Sequence, residues 1–355
     1  MPTDKETFRI GVTRDTRRSD GGLAFAPFGF TALEEAGLEW HFLAEDARPV
    51  TSDLLRDLDG LYHFSPPVTA ASLDGVERLA LIARHGVGLD FIDLPACTAR
   101  GVAVTITPDG VTGPMASAAV ALVLALAHRL RERDQALHAG DWSPAGRFEP
   151  QGTGLHGRTL GLVGYGRIGR EVVRLLGPWE MRVLVTQRTP VAEPGVEHVA
   201  LDELLSRADV VVVACPLTAE TRGLLDARRL GLLRPGALLV NVARGAIVDQ
   251  QALADALREG RLAGAGLDVF DPEPFPVADP LLALPGVVGA PHSLGYTDQL
   301  LAGCIGDACA ALLAVAAGRI PAHIANPEVL DHPHFQEKLA RHAARTASTD
   351  QGGAA

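Results

Sequence analysis

The sequence predicts an α/β protein built from two doubly wound parallel-sheet domains, and three observations carry that prediction. Short apolar runs alternate with helix-like segments along most of the chain, the pattern of parallel strands covered on both faces. A glycine-rich turn, Gly164-Tyr-Gly-Arg-Ile-Gly169, lies directly between one such run and a helical segment. The chain is 355 residues long, beyond the size that one hydrophobic core usually fills, so two domains are expected.

The first group of strands falls at 8–13, 38–43, 61–64, 79–83 and 102–106, separated by Gly, Pro and Asp. Thr112, Gly113 and Pro114 then offer a capping hydroxyl and a first-turn proline for a helix linking the two domains. Its apolar body, 115–127, is shorter than the ~20 residues needed to cross a bilayer, so it reads as a buried helix. The polar, Gly- and Pro-rich stretch 140–157 has no periodicity and reads as a surface loop. Strands resume at 159–163, 182–186, 210–214, 237–242, 263–267 and 287–290, with helices in the gaps. Short apolar strands joined by helical crossovers are what a dinucleotide-binding doubly wound sheet requires. An Ala-rich helix at 298–317 is placed to return to the first domain, and the polar tail 331–355 is expected to be poorly ordered.

Composition narrows the function classes. With 47% hydrophobic and 21% charged residues the chain has the balance of a globular enzyme. A formal charge of −11, with no Lys/Arg-dense stretch, argues against nucleic acid as a partner. The four cysteines form no CxxC pair and read as free thiols of a reducing cytoplasm. The segment 1–9 is polar and has no secretory core, so export is not expected, and with 115–127 read as a buried helix neither is membrane insertion.

In the glycine turn, Gly164 permits the tight bend, Gly166 lets the backbone approach a pyrophosphate, and Gly169 allows the helix to pack closely. The helix N-terminus adds favourable charge for the phosphates. At the end of the next strand, where an acid usually accepts hydrogen bonds from the adenosine ribose, stand Thr186, Gln187 and Arg188. No carboxylate repels a 2′-phosphate there and Arg188 can pair with one, which favours NADP over NAD; the plainer alternative is that Arg188 points to solvent.

Three polar residues each follow an apolar strand of the second sheet, at the edge where open α/β sheets bind ligands: Arg244, Glu273 and His292. Reducing a 2-oxo acid needs a cation to hold the carboxylate and polarise the carbonyl, and a proton donor for the nascent alkoxide. Arg244 suits the first role. His292, supported by the Glu273 carboxylate, suits the second, whereas each residue taken singly could be a helix-capping charge, part of a solvated turn or a surface histidine. In the first domain, the glycines of Arg84-His-Gly-Val-Gly-Leu-Asp90 would expose backbone N–H groups to an anion such as a substrate carboxylate, or form an ordinary strand-to-helix turn.

With these residues assembled, the chain resembles the D-isomer-specific 2-hydroxyacid dehydrogenases over about residues 60–326. The carriers are Gly86-Val-Gly-Leu-Asp90, Gly161-Leu-Val-Gly-Tyr-Gly-Arg-Ile-Gly169, Pro216-Leu-Thr-Ala-Glu-Thr221, Asn241-Val-Ala-Arg-Gly245, Leu267-Asp-Val-Phe-Asp-Pro-Glu-Pro274 and Pro291-His292. The resemblance implies a Rossmann cofactor domain, 108–297, inserted into a flavodoxin-like substrate domain made of 1–107 and 298–330, and a homodimer formed largely through the cofactor domain. It implies catalytic roles for Arg244, Glu273 and His292, and substrate binding by Val87, Gly88 and Arg244. Cofactor contacts are implied for Gly164, Gly166, Arg167, Ile168, Gly169, Gln187, Arg188, Cys215, Pro216, Thr221, Val242, Ala243, Asp268 and Gly295, and no metal is implied.

Two positions depart from the usual pattern: Phe64 stands where many members carry a basic residue, and Leu294 replaces a glycine commonly found two places after the histidine. The expected reaction is hydride transfer between NAD(P)H and a small 2-oxo acid of hydroxypyruvate or glyoxylate type. The rival readings are a non-catalytic NAD(H)-sensing protein of corepressor type and a same-fold dehydrogenase acting on another anion such as formate or phosphite.

Overall fold

A computed structural model describes residues 7–149 and 151–352. The chain separates into two compact units, one made of Met1–Val111 with Asp298–Ala355 and the other of Thr112–Thr297.

The first unit holds five strands: β1 (Ile10–Val12), β2 (Trp40–Phe42), β3 (Gly60–His63), β4 (Leu81–Arg84) and β5 (Ala103–Thr105). All pair in parallel in the order β2-β1-β3-β4-β5, the flavodoxin-like doubly wound order. Alternate residues serve opposite faces, as a period of two requires. On β3 and β4, Tyr62, Leu81 and Ala83 pack with Ile305, Ala308 and Leu312 of the helix Asp298–Ala316, while Leu61 and Ile82 pack with Leu55, Leu73 and Leu79.

The second unit holds seven parallel strands: β6 (Thr159–Val163), β7 (Arg182–Thr186), β8 (Val196–His198), β9 (Val210–Val213), β10 (Ala237–Asn241), β11 (Leu262–Leu267) and β12 (Val287–Gly289). Their order is β12-β11-β10-β9-β6-β7-β8. This is the dinucleotide-binding order with one strand added, and its switch point lies between β6 and β9. The same alternation builds two cores. Val210, Val212, Leu238 and Val240 face Ala119, Leu122 and Leu126 of the helix Pro108–Ala127, while Val211, Val213 and Leu239 face Leu204, Leu205 and Leu253.

Several sequence expectations are corrected. β8 was not anticipated; it is three residues long, sits at the sheet edge, and shows no continuous apolar run. The linking helix starts at Pro108 rather than beside Thr112, leaving Pro114 inside it. A proline in the first helical position loses nothing, and the Asp307 carboxylate accepts the N–H groups of Asp109 and Gly110, so the helix is capped one turn earlier than the Thr-Gly-Pro signal suggests. With 20 residues this helix, like Asp298–Ala316, is long and apolar enough to cross a membrane by length and composition, and both pack apolar faces on their sheets. The stretch read as a loop contains a short helix, Pro144–Phe148.

The tail expected to be poorly ordered forms the helix Pro333–Gly352; residues 353–355 lie outside the described residues. Its anchors are Phe335, Lys338 and His342, all buried on one helical face. The Lys338 ammonium donates to the carbonyls of Leu79 (2.8 Å), Arg100 (3.0 Å) and Gly101 (3.0 Å), capping backbone that the sheet leaves unpaired. Burial, aided by the Arg341 charge and opposed by Glu77, pushes this amine down to about 8, so it is still a cation at neutral pH. Only one of the three anchors is apolar, which is why the segment reads as solvent-facing. The variant Lys338→Met leaves three carbonyls without their donor and is expected to lower the unfolding free energy by roughly 2–3 kcal/mol. A urea unfolding curve unchanged in midpoint would show that the helix is not held this way.

Candidate active site

The glycine turn at the end of β6 is shaped by three different demands. Gly164 has φ +97°, and a Cβ on it would lie 2.7 Å from the Cys215 backbone nitrogen, so strand end and neighbouring loop meet only across a bare glycine. A Cβ on Gly169 would lie 2.6 Å from the Gly164 carbonyl oxygen, which brings the helix Arg167–Leu176 against the turn. A Cβ on Gly166 would meet nothing within 4 Å, and as the N-cap it supplies no side-chain hydrogen bond to the first turn. Bare backbone, open space and an uncapped helix start at the switch point fit a pyrophosphate.

Around this turn, the Gln187 amide oxygen accepts the Tyr165 N–H (3.2 Å) while its NH2 donates to the Thr189 carbonyl (2.8 Å). The Tyr165 hydroxyl donates to Glu193 (3.0 Å), and Arg170 both pairs with Glu193 (3.0 Å) and lies over the Tyr165 ring. Glu193, which the sequence reading did not single out, is therefore already engaged. Arg188 is exposed. After β9, Thr221 closes its own turn by donating to the Pro216 carbonyl (2.8 Å) and accepting the Thr218 N–H (2.7 Å). Ile168, Val242 and Ala243 pack their side chains into the core, and burial pushes the Cys215 thiol up to about 11. Arg167 is exposed and Gly295 is buried.

The loops after β10, β11 and β12 are stitched into one constellation. Asn241 is buried; its side chain donates to the Arg244 carbonyl (2.9 Å) and accepts the Ala243 N–H (3.0 Å), which fixes the turn that presents Arg244. A Cβ on the next residue, Gly245, would run into the Phe270 carbonyl group, so this turn rests directly on the loop after β11. There the Asp268 N–H donates to the Asn241 carbonyl (3.1 Å), and one Asp268 carboxylate oxygen accepts the N–H groups of Ser293 (2.9 Å) and Leu294 (3.0 Å) from the loop after β12. Glu273 accepts the Phe270 N–H on one oxygen (3.0 Å) and holds His292 Nδ1 on the other (2.8 Å). His292 itself sits at φ +53°, a left-handed conformation uncommon outside glycine but one that histidine adopts more readily than most residues.

Electrostatics follow from this packing. Half-burial alone would raise the Glu273 carboxyl, but the His292 hydrogen bond, the Phe270 N–H and the charges of His292 and Arg244 outweigh it and hold the group below the usual carboxylate range. Asp268 goes the other way: burial raises it, against the pull of the Leu294 and Ser293 N–H groups and His292. Its second carboxylate oxygen is buried with no partner among the described residues, a polar atom available to a bound group. Arg244, Glu273 and His292, predicted from separate strand ends, are thus brought together on one sheet edge.

In the first unit, Val87 and Gly88 lie in the turn that follows β4. Phe64 packs its ring against Phe25 and His85 with centroids 5.6 and 5.2 Å away, so the position that departs from a basic residue joins an aromatic cluster. Leu294, the other departure, packs into the core. Among the described residues no group of His, Cys, Asp and Glu could hold a metal ion.

Residues 120–293 match the family described as D-isomer specific 2-hydroxyacid dehydrogenase, NAD binding domain. A glyoxylate reductase from Thermococcus onnurineus is 40% identical over 301 residues, covering 82% of this chain and 90% of the relative. Among solved structures, the TT0316 protein from Thermus thermophilus is 38% identical with a TM-score of 0.78, covering 89% of this chain and 99% of that one. An NADPH-dependent glyoxylate/hydroxypyruvate reductase from Sinorhizobium meliloti is 30% identical with a TM-score of 0.73, covering 86% and 94%. By sequence and fold, the chain belongs to the D-isomer-specific 2-hydroxyacid dehydrogenase family, whose cofactor is NAD(P).

Proposed function

We propose that this chain reduces a small 2-oxo acid of glyoxylate or hydroxypyruvate type to the 2-hydroxy acid, of D configuration where the product is chiral, consuming NAD(P)H and one proton. The observation that carries the reading is the 2.8 Å bond between Glu273 and His292 Nδ1, with the Arg244 charge in reach of the same carboxylate, on the sheet edge that bears the glycine turn. The bound nicotinamide supplies the hydride. Arg244 holds the substrate carboxylate and polarises the carbonyl, and in the first unit the N–H groups of Val87 and Gly88 are assigned to substrate binding. Glu273 keeps the proton on Nδ1, so Nε2 is the nitrogen that delivers a proton to the alkoxide oxygen. Asp268 orients the His292 loop through Ser293 and Leu294 and leaves one oxygen for the cofactor.

The same reading favours NADP. The β7 end carries Thr186, Gln187 and exposed Arg188; the neighbouring Glu193 is occupied by Arg170 and Tyr165, and Glu220, which feels the Arg188 charge, accepts the Thr218 hydroxyl, so Arg188 is the cation at hand for a 2′-phosphate. A homodimer through the cofactor unit is supported by the exposed apolar side chains Leu130, Leu137, Trp142 and Phe148 on and beside its helices Leu130–His138 and Pro144–Phe148. A cytoplasmic location is supported by four free cysteines. The corepressor-type and formate or phosphite readings are not favoured beside relatives named for glyoxylate reduction.

The test is a panel of 2-oxo acids assayed with NADPH and NADH by loss of nicotinamide absorbance. Turnover of glyoxylate and hydroxypyruvate, with NADPH preferred, is the expected result; cofactor binding without any turnover would establish the sensor reading instead. A second expectation concerns Glu273. Because the Glu273 carboxylate holds His292 Nδ1 at 2.8 Å and so fixes the ring, Glu273→Gln is expected to lower kcat by about ten-fold or more while NADPH binding stays intact. An unchanged kcat would mean the carboxylate does not support the proton donor.

A further inference from the structure

We propose that Thr107 is a positioning residue for the carboxylate-binding turn 86–88, aiming its backbone N–H groups through two hydrogen bonds to Gly86; the proposal rests on the assignment of Val87 and Gly88 to the substrate carboxylate. Thr107 is fully buried, 1% exposed, and lies directly before the helix Pro108–Ala127, yet its hydroxyl is turned to Gly86. Its Oγ1 accepts the Gly86 N–H at 2.7 Å, and its own N–H donates to the Gly86 carbonyl at 3.0 Å. Gly86 has φ +109°, outside the range of ordinary side chains, so this residue is bracketed on both sides in a conformation it would not hold unaided.

The consequence follows from peptide planarity. In a trans peptide the C=O and the N–H of the next residue point in opposite directions. With the Gly86 carbonyl turned onto Thr107, the Val87 N–H points away from it. Arg84 completes the frame from the strand side, donating through Nε to the Gly88 carbonyl at 3.0 Å and through Nη1 to the carbonyls of His85 and Phe64. The His85 carbonyl held by Arg84 sends the Gly86 N–H onto Thr107 Oγ1, so the two tethers reinforce one another. Among the described residues the N–H groups of Val87 and Gly88 have no protein acceptor. A guanidinium thus stands behind a pair of unengaged donors, and Thr107 sets the direction in which they face.

The test compares Thr107→Val and Thr107→Ala, which remove the acceptor, with Thr107→Ser, which keeps it. The readouts are the glyoxylate KM, the inhibition constant of oxalate as a competing carboxylate, kcat with saturating hydroxypyruvate, and the NADPH dissociation constant by fluorescence. Loss of one hydrogen bond to the turn is expected to raise the glyoxylate KM and the oxalate constant by about ten-fold in Thr107→Val and Thr107→Ala. Thr107→Ser should behave as wild type, with kcat and NADPH binding unchanged throughout. A role confined to packing would instead lower thermal stability or the active fraction and leave KM alone, and that result in either folded variant would overturn the inference. Wild-type protein without any 2-oxo acid turnover would overturn the functional reading itself, a different outcome from a normal enzyme indifferent to Thr107.

Discussion

Replacing His292 with asparagine is expected to lower kcat for 2-oxo acid reduction by about two to four orders of magnitude while NADPH binding stays intact. Asparagine is the informative choice because His292 sits at φ +53°, and asparagine is among the few residues that tolerate a left-handed backbone. The loop therefore keeps its course, and the Asp268 carboxylate still has the Ser293 and Leu294 N–H groups to hold. What disappears is a side chain that passes a proton at neutral pH while its other nitrogen is fixed on Glu273, 2.8 Å away. Steady-state kinetics beside a cofactor fluorescence titration separate the two effects. A variant with near-normal kcat would take His292 out of the chemistry.

The second large effect belongs to Arg244. Arg244→Gln is expected to reduce kcat/KM by roughly 10²- to 10³-fold, since the guanidinium both anchors the substrate carboxylate and stabilises the negative charge that grows on the carbonyl oxygen. Arg244→Lys keeps the charge but loses the planar fork, so it should fall between the two. There is also a signature within the protein. The Arg244 charge is one of the influences that hold Glu273 low, so its loss lets the Glu273 carboxyl rise and moves the acid limb of the pH profile upward. Measuring kcat/KM from acidic to alkaline pH for both variants checks this; a glutamine variant that loses affinity alone, with kcat and both limbs unchanged, would reduce Arg244 to a simple anchor.

Much of this candidate site was legible because each side chain proposed to react lies beyond the end of a strand of a parallel sheet. Buried strands such as Val210–Val213 leave a continuous apolar signal, and the topology gathers their carboxyl ends on one edge, so Arg244, Glu273 and His292 could be grouped before any coordinates. The misses share a physical cause. The short edge strand Val196–His198 is only partly buried and so leaves little apolar pattern. The closing helix is anchored by a lysine and a histidine, residue types that normally signal solvent.

Asn241, Gln187, Arg84 and Thr107 act through side-chain bonds to backbone, and residue type alone does not announce such a bond. The partner of Thr107 is 21 positions away and that of Gln187 is 22. Only Asn241, a side chain able to bond its own turn at the end of a strand, carried a local sign.

The most direct measurement of the central claim is the configuration of the glycerate formed when wild-type protein reduces hydroxypyruvate with NADPH. One fixed guanidinium and one fixed imidazole present a single face of the carbonyl to the nicotinamide, so D-glycerate alone is expected, equimolar with the NADPH consumed. Racemic or L-glycerate, or no consumption of the cofactor, would contradict it.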